Sequence, residues 1–303
     1  MQNLILYAAT VLIWGSTWFV ITFQLGVVDP LLSIGYRFGI AGILILGFLA
    51  IKNRSSLLGL SRQAHLYIAL QGFLLFCLNY WLFYIGTGYL TSGLVAVIFS
   101  TLTMMNIINQ ALFFKIRVNK QVVLGAAMGL VGIIAVFWNE VSHLHLHDAV
   151  MTGILFCIVA SYVASLGNMS ALRNSRAEIP VMVSNGYGMV YGAVFCIVIA
   201  LALGKELRFD MSFDYIWSLA YLALLGSLAG FSLYLTLMKN IGADKAAYAT
   251  VMFPIVALII STFFEGYVWS VPALLGMALV VAGNVIAMTK RENLLHWRGR
   301  LFK

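Results

Sequence analysis

Long apolar runs alternate with short polar connections from one end of the chain to the other. Ten runs stand out, at about residues 3–22, 31–51, 64–86, 91–114, 120–138, 149–171, 179–202, 214–238, 244–264 and 271–289. Each approaches the roughly 20 apolar residues that a helix needs to cross a bilayer. The pattern predicts an all-α integral membrane protein with ten transmembrane helices. The first run lacks a basic leader and a small-x-small cleavage site, and it contains Trp14 and Trp18. It therefore reads as a span rather than a signal peptide.

Composition agrees. Only 9% of the 303 residues are charged and 62% are hydrophobic, against roughly 25% charged in a soluble domain. So few charges exclude a soluble enzyme of this size. The net charge of +8 is a topology signal, because the bases sit between the apolar runs. Of 18 basic residues, 15 fall in one set of alternate connections and the tail: Lys52, Arg54, Arg62, Lys115, Arg117, Lys120, Arg173, Arg176, Lys239, Lys245, Lys290, Arg291, Arg298, Arg300 and Lys303. The other set carries only Lys205 and Arg208. By the positive-inside rule, both termini are expected in the cytoplasm, in a multi-pass inner-membrane protein without nucleic-acid partners. Residues 290–303 are expected to be a basic cytoplasmic tail, either lying on the anionic lipid surface or serving simply as a basic stop-transfer segment. Cys77, Cys157 and Cys196 lie in apolar runs with no metal or pairing spacing, and read as small core residues.

A shift of 151 residues lays the second half over the first. Gly35-Tyr36 meets Gly186-Tyr187, Leu124-Gly125 meets Leu275-Gly276, and Gly132 meets Gly283. Residues 1–138 and 139–289 then form two five-helix repeats. An odd number of spans per repeat gives the halves opposite orientations in the membrane. Inverted repeats suit a carrier, because exchanging their conformations opens one central site to each side in turn.

Several residues carry a family likeness. Trp14-Gly15-Ser16-Thr17-Trp18, then Asp29-Pro30 followed by Tyr36-Arg37-Phe38 and Ala41, and finally Pro254, Glu265 and Gly276 resemble the motifs of the EamA family in the drug/metabolite transporter superfamily. The resemblance spans nearly the whole chain. It implies ten helices, a cavity between the halves lined by the first four helices of each, peripheral fifth and tenth helices, and export of small metabolites or drugs. The chain departs from the pattern at Thr103, where the second repeat has Pro254, and at Phe114-Lys115, where an acid and a base are usual.

Polar side chains in a bilayer face protein or water, so their helical phase marks a candidate cavity wall. Trp14, Thr17 and Trp18 share a face, as do Thr103, Asn106 and Gln110. Ser161, Ser165 and Asn168 align, and so do Ser184, Tyr187 and Tyr191, and Ser227, Phe231 and Tyr234. Asn79, Tyr80, Tyr84 and Tyr36 complete the set. For a single Ser or Thr, an interhelical hydrogen bond is the simpler reading. Taken together, the aromatic and amide side chains favour a substrate site. Arg37 is the one base well inside a run. It can pair bidentately with a carboxylate, act in gating, or snorkel to the surface. Pro254 removes a backbone bond within the ninth run and is a candidate hinge as much as a static kink.

No acid lies deep in a run, which counts against an acidic proton relay and against cationic drugs as preferred cargo. His143, His145 and His147 alternate in one connection, but alternating histidines in a connecting loop usually bind nothing. The expectation is no metal and no cofactor. P-loop, Gly-x-Ser-x-Gly and HExxH motifs are absent from the sequence. The favoured reading is a secondary transporter, not an enzyme, that exports amino acids or related aromatic compounds. A cationic-drug exporter of the same fold and a membrane lipid-modifying enzyme are the alternatives.

Overall fold

The computed structural model describes residues 2–115, 120–138 and 149–288. Arg117, the three alternating histidines and the basic tail lie outside the described residues. The described chain is helical, without strands. We number its helices α1 (Gln2–Thr22), α2 (Pro30–Lys52), α3 (Arg62–Thr87), α4 (Ser92–Phe114), α5 (Lys120–Val136), α6 (Ala149–Arg176), α7 (Val181–Ala202), α8 (Phe213–Ile241), α9 (Ala243–Phe264) and α10 (Val271–Met288). All ten apolar runs are thus helical. Seven helices, α1 to α4 and α6 to α8, are long and apolar enough to cross a membrane. The segments Lys120–Val136, Tyr248–Phe264 and Val271–Ala287 are shorter apolar helices.

Three features depart from uniform helices. α4 breaks at Ser100–Thr101, where both hydroxyls bond back to carbonyls three residues earlier, Ser100 to Val97 at 2.6 Å and Thr101 to Ile98 at 2.7 Å. Such back-bonding competes with the helical ladder. α3 contains a π turn at Leu74–Leu78, and α8 one at Tyr221–Ala229. π turns are frequent at functional sites.

Many large apolar side chains point outward, among them Ile43, Phe48, Leu130, Ile134 and Val198. Water would not tolerate such a surface on a monomer, whereas lipid does. Two ends can be told apart. At one, Arg173 stacks on Tyr67 at 3.7 Å and Arg176 on Phe114 at 4.1 Å, joining the ends of α6, α3 and α4. We call this the basic end. At the other, Asp29 caps α2 through Leu31 N (3.0 Å) and pairs with Lys205 at 3.2 Å.

Glycines set the closest helix crossings. A Cβ on Gly35 would meet Cys196 and Ile197, and one on Gly186 would meet Ile45 and Leu46. These contacts between α2 and α7 map onto each other under the 151-residue shift. The α5·α10 crossing behaves alike: Gly125 abuts the Gly283 carbonyl, and Gly276 abuts that of Gly132. At these glycines both helix pairs therefore look alike from either half.

Candidate functional site

Arg37 lies seven residues into α2 and is only 3% exposed. Its Nε donates to Ser227 Oγ at 3.3 Å. Its guanidinium carbon sits 4.8 Å from the Tyr80 ring centre and 4.9 Å from that of Phe38. Gly226 lies beside it: a Cβ there would strike the Thr17 methyl at 2.9 Å and make only ordinary contact with the guanidinium, at 3.6 Å. The π turn of α8 presents Ser227, whose hydroxyl also bonds the Leu222 carbonyl five residues back, at 3.0 Å. Arg37 Nη1 is buried without a partner, as are Asn79 Oδ1 and Tyr84 Oη. Tyr84 is fully buried and faces Arg37. No carboxylate pairs with Arg37 among the described residues. Cation–π contact offsets part of the burial cost, but an unpaired buried guanidinium remains expensive.

The other half builds the same crossing without a charge. Under the 151-residue shift, Arg37 and Ser227 correspond to Gly188 and Phe76. A Cβ on Gly188 would meet the Phe76 ring at 3.3 Å. A ring over glycine thus closes this crossing in one half. The fold does not require an arginine in the other.

The remaining sequence-derived residues divide into groups. Trp14 donates from Nε1 to the Gly226 carbonyl at 2.9 Å and packs on Tyr234 (5.2 Å) and Phe231 (5.3 Å). Thr17 bonds the Trp14 carbonyl within α1. Trp18 contacts Phe83 and Phe99, with ring centres 5.2 and 4.9 Å away. Between α4 and α6, Asn168 donates to Asn106 at 3.2 Å, and Asn109 to Ser165 at 2.8 Å. Ser161 and Ser184 bond carbonyls of their own helices. Thr103 and Gln110 are half-buried on α4. Pro254 lies inside α9. Tyr36 reaches the Arg208 carbonyl at 3.0 Å and packs on Phe209 at the other end, apart from Arg37. Tyr187 and Tyr191 cluster with His65 toward the basic end, where Tyr191 Oη lies 2.8 Å from His65 Nδ1.

Three polar groupings were not apparent in the sequence. Asn109 is 1% exposed, one residue off the expected polar face. Gln71, Asn185 and Asn174 form a buried amide chain across α3, α7 and α6, with both bonds at 2.9 Å. Glu265 accepts from Ser92 N at 3.1 Å and Ser92 Oγ at 2.5 Å, so α9's end caps the start of α4. A groove of about 360 Å³ lies between α1, α8 and α9, with the Ser16–Tyr221 hydroxyl pair (2.7 Å) on its wall and apolar side chains elsewhere. It is separate from Arg37.

These features define a multi-pass α-helical membrane protein with a buried polar and aromatic centre. The sequence profile of the EamA-like transporter family matches residues 2–138 and again 151–289. The chain belongs to that family. It is 29% identical over 287 residues to the uncharacterized inner membrane transporter YedA of Escherichia coli K12, covering 92% of this chain and 88% of that one. It is 23% identical to the uncharacterized transporter YoaV of Bacillus subtilis, covering 93% and 96%. A solved crystal structure superposes with a TM-score of 0.67 at 14% identity, covering 94% of this chain and 96% of the other. It shares the fold.

Proposed function

We propose that the protein is an inner-membrane secondary transporter that exports small amphipathic carboxylates, amino acids or related aromatic compounds, by alternating access. Its ten helices all span the membrane, as two five-helix repeats of opposite orientation. Paired contacts that interconvert under the 151-residue shift support the repeat. The names of the relatives support transport and the inner membrane.

One observation carries the substrate class: Arg37 is buried without a carboxylate, where the other half uses Gly188 and Phe76. A substrate carboxylate supplies the missing counter-charge. Tyr80, Tyr84 and Asn79 surround it with ring surface and hydrogen-bonding capacity. Cationic drugs fit this centre poorly, because the fixed charge has the wrong sign. A lipid-modifying enzyme would have no use for the repeat.

The experiment is counterflow in proteoliposomes with a panel of aromatic and aliphatic amino acids, their amides and cationic dyes. Carboxylates are expected to accumulate in a time-dependent way and to be recovered chemically unchanged. Conversion of lipid or solute to a new product, without accumulation, would overturn the reading.

Topology gives a separate prediction. After replacement of the native cysteines, Ser55→Cys should react with an impermeant maleimide only in inverted vesicles. Glu206→Cys should react in intact cells. The opposite result at both positions would reverse the proposed orientation.

A further inference from the structure

The two halves differ in how they meet at the two ends, and the difference identifies the moving contacts. This inference rests on the proposed alternating access. At the end opposite the basic one, Trp18 of α1, Phe83 of α3 and Phe99 of α4 form a closed aromatic trio, with ring centres 4.9 to 5.5 Å apart. Beside it, α4 is pressed against α9. A Cβ on Gly93 would meet Leu258 and Ser261 within 3 Å, and Glu265 clamps Ser92.

The 151-residue shift places the counterparts near the basic end. Trp18 corresponds to Met169 of α6, Phe83 to Tyr234 of α8, and Phe99 to Thr250 of α9. The crossing of Gly93 with Leu258 and Ser261 corresponds to positions 244, 107 and 110. Among the described residues, α6 makes no extensive contact with α8 or α9, nor does the second half of α4 with α9. The α2·α7 and α5·α10 pairs, in contrast, look the same from both halves.

Exchange of conformations between inverted repeats leaves self-symmetric contacts in place and swaps the unequal ones. We infer that Trp18, Phe83 and Phe99, clamped by Glu265 on Ser92, form the outer gate, and that Met169, Tyr234 and Thr250 form the inner gate, which closes when the outer gate parts. The described conformation is then closed outside and parted toward the cytoplasm. α2·α7 and α5·α10 are the frame about which the rest moves. The gates are chemically unequal. The outer one has a carboxylate clamp, whereas Ser92 and Glu265 correspond to Ala243 and Phe114. Loss of the Glu265 carboxylate should therefore favour the outward-open state.

Paired cysteines test this in a background free of native cysteines, reconstituted with a carboxylate that the parent transports. Trp18→Cys with Phe99→Cys, and Met169→Cys with Thr250→Cys, should each cross-link under oxidation and stop counterflow, and reductant should restore it. Glu265→Ala should raise the yield of the inner cross-link several-fold and lower that of the outer one. An inner pair that never cross-links while the reduced protein transports would overturn the gate assignment and leave the transport reading intact. A parent that moves no solute would instead count against that reading. If the paired variants transport poorly even when reduced, Thr250→Cys alone decides by its rate of maleimide labelling in inverted vesicles. That rate should fall several-fold with Glu265→Ala. An unchanged rate in monodisperse protein would overturn the assignment.

Discussion

Arg37→Ala should reduce export of a carboxylate substrate at least tenfold at matched membrane expression, and Arg37→Lys should fail nearly as badly. A lysine keeps the charge but loses the planar fork that bonds Ser227, stacks on Tyr80 and still holds a free Nη1. An arginine that merely snorkelled would be replaced by lysine without loss. Chemistry on the substrate side separates binding from gating. An amide analogue should be a poor substrate for the parent, and the Arg37→Ala defect should shrink for it. Equal parent rates for acid and amide, with equal loss in the variant, would exclude carboxylate recognition. The pseudo-symmetric crossing supplies a demanding control. Arg37→Gly with Ser227→Phe transplants the pair that the other half uses at Gly188 and Phe76. It should extract as a monodisperse protein and still not transport. Normal export by this variant would show the charge to be dispensable.

The second large effect concerns stability. Gly132→Leu should destabilise the protein by about 3 kcal/mol or more, because the new side chain strikes backbone and not a movable side-chain tip. A Cβ at Gly132 would lie 2.6 Å from the Gly276 carbonyl oxygen and 2.8 Å from Val280 N. The crossing also repeats through the pseudo-symmetry, so both ends of the α5·α10 contact would open. Gly47→Ala in α2 is the counterpart, with nothing within 4 Å of its Cβ position. Removing a mid-helix glycine there should stabilise by about 0.5–1 kcal/mol. Melting temperatures of the detergent-extracted proteins would place the two variants on opposite sides of the parent. A Gly132→Leu protein as stable as the parent would show that α5 and α10 can separate freely.

Much of the fold was legible because bilayer crossing imposes a length and an apolar composition on each helix, and both can be read without neighbours. The 151-residue offset was legible for a related reason: close crossings demand glycine, and Gly35, Gly125, Gly132 and their counterparts mark them. The site was only half legible. Arg37 stood out as a charge in an apolar run, but its environment did not. Helical phase on α4 pointed to Thr103, Asn106 and Gln110. Asn109 lies about 60° beyond Asn106 on the same helix, and the packing of α6 extends the polar face to it through Ser165. Tyr36 counts among the candidate lining residues in sequence, yet it points about 100° away from its neighbour Arg37 and turns to Arg208. Gln71, Asn174 and Asn185 each look like an isolated amide in sequence. Their meeting brings α3 against α6 and α7, more than a hundred residues further along the chain, which no local pattern records. Ser92 and Glu265 are separated by 173 positions for the same reason.

The π turn in α3 bears on which changes of length the helix absorbs. Leu74–Leu78 hold one residue more than an α-helical turn would, immediately before Asn79, Tyr80 and Tyr84. Deleting one residue there would restore ordinary winding and leave the stretches on either side in phase, so the tyrosines would stay beside Arg37. The same deletion in uninterrupted α-helical winding would swing everything downstream through about 100°. The π turn is thus a point of slack, where a single-codon loss is taken up that elsewhere would turn the lining away from the substrate.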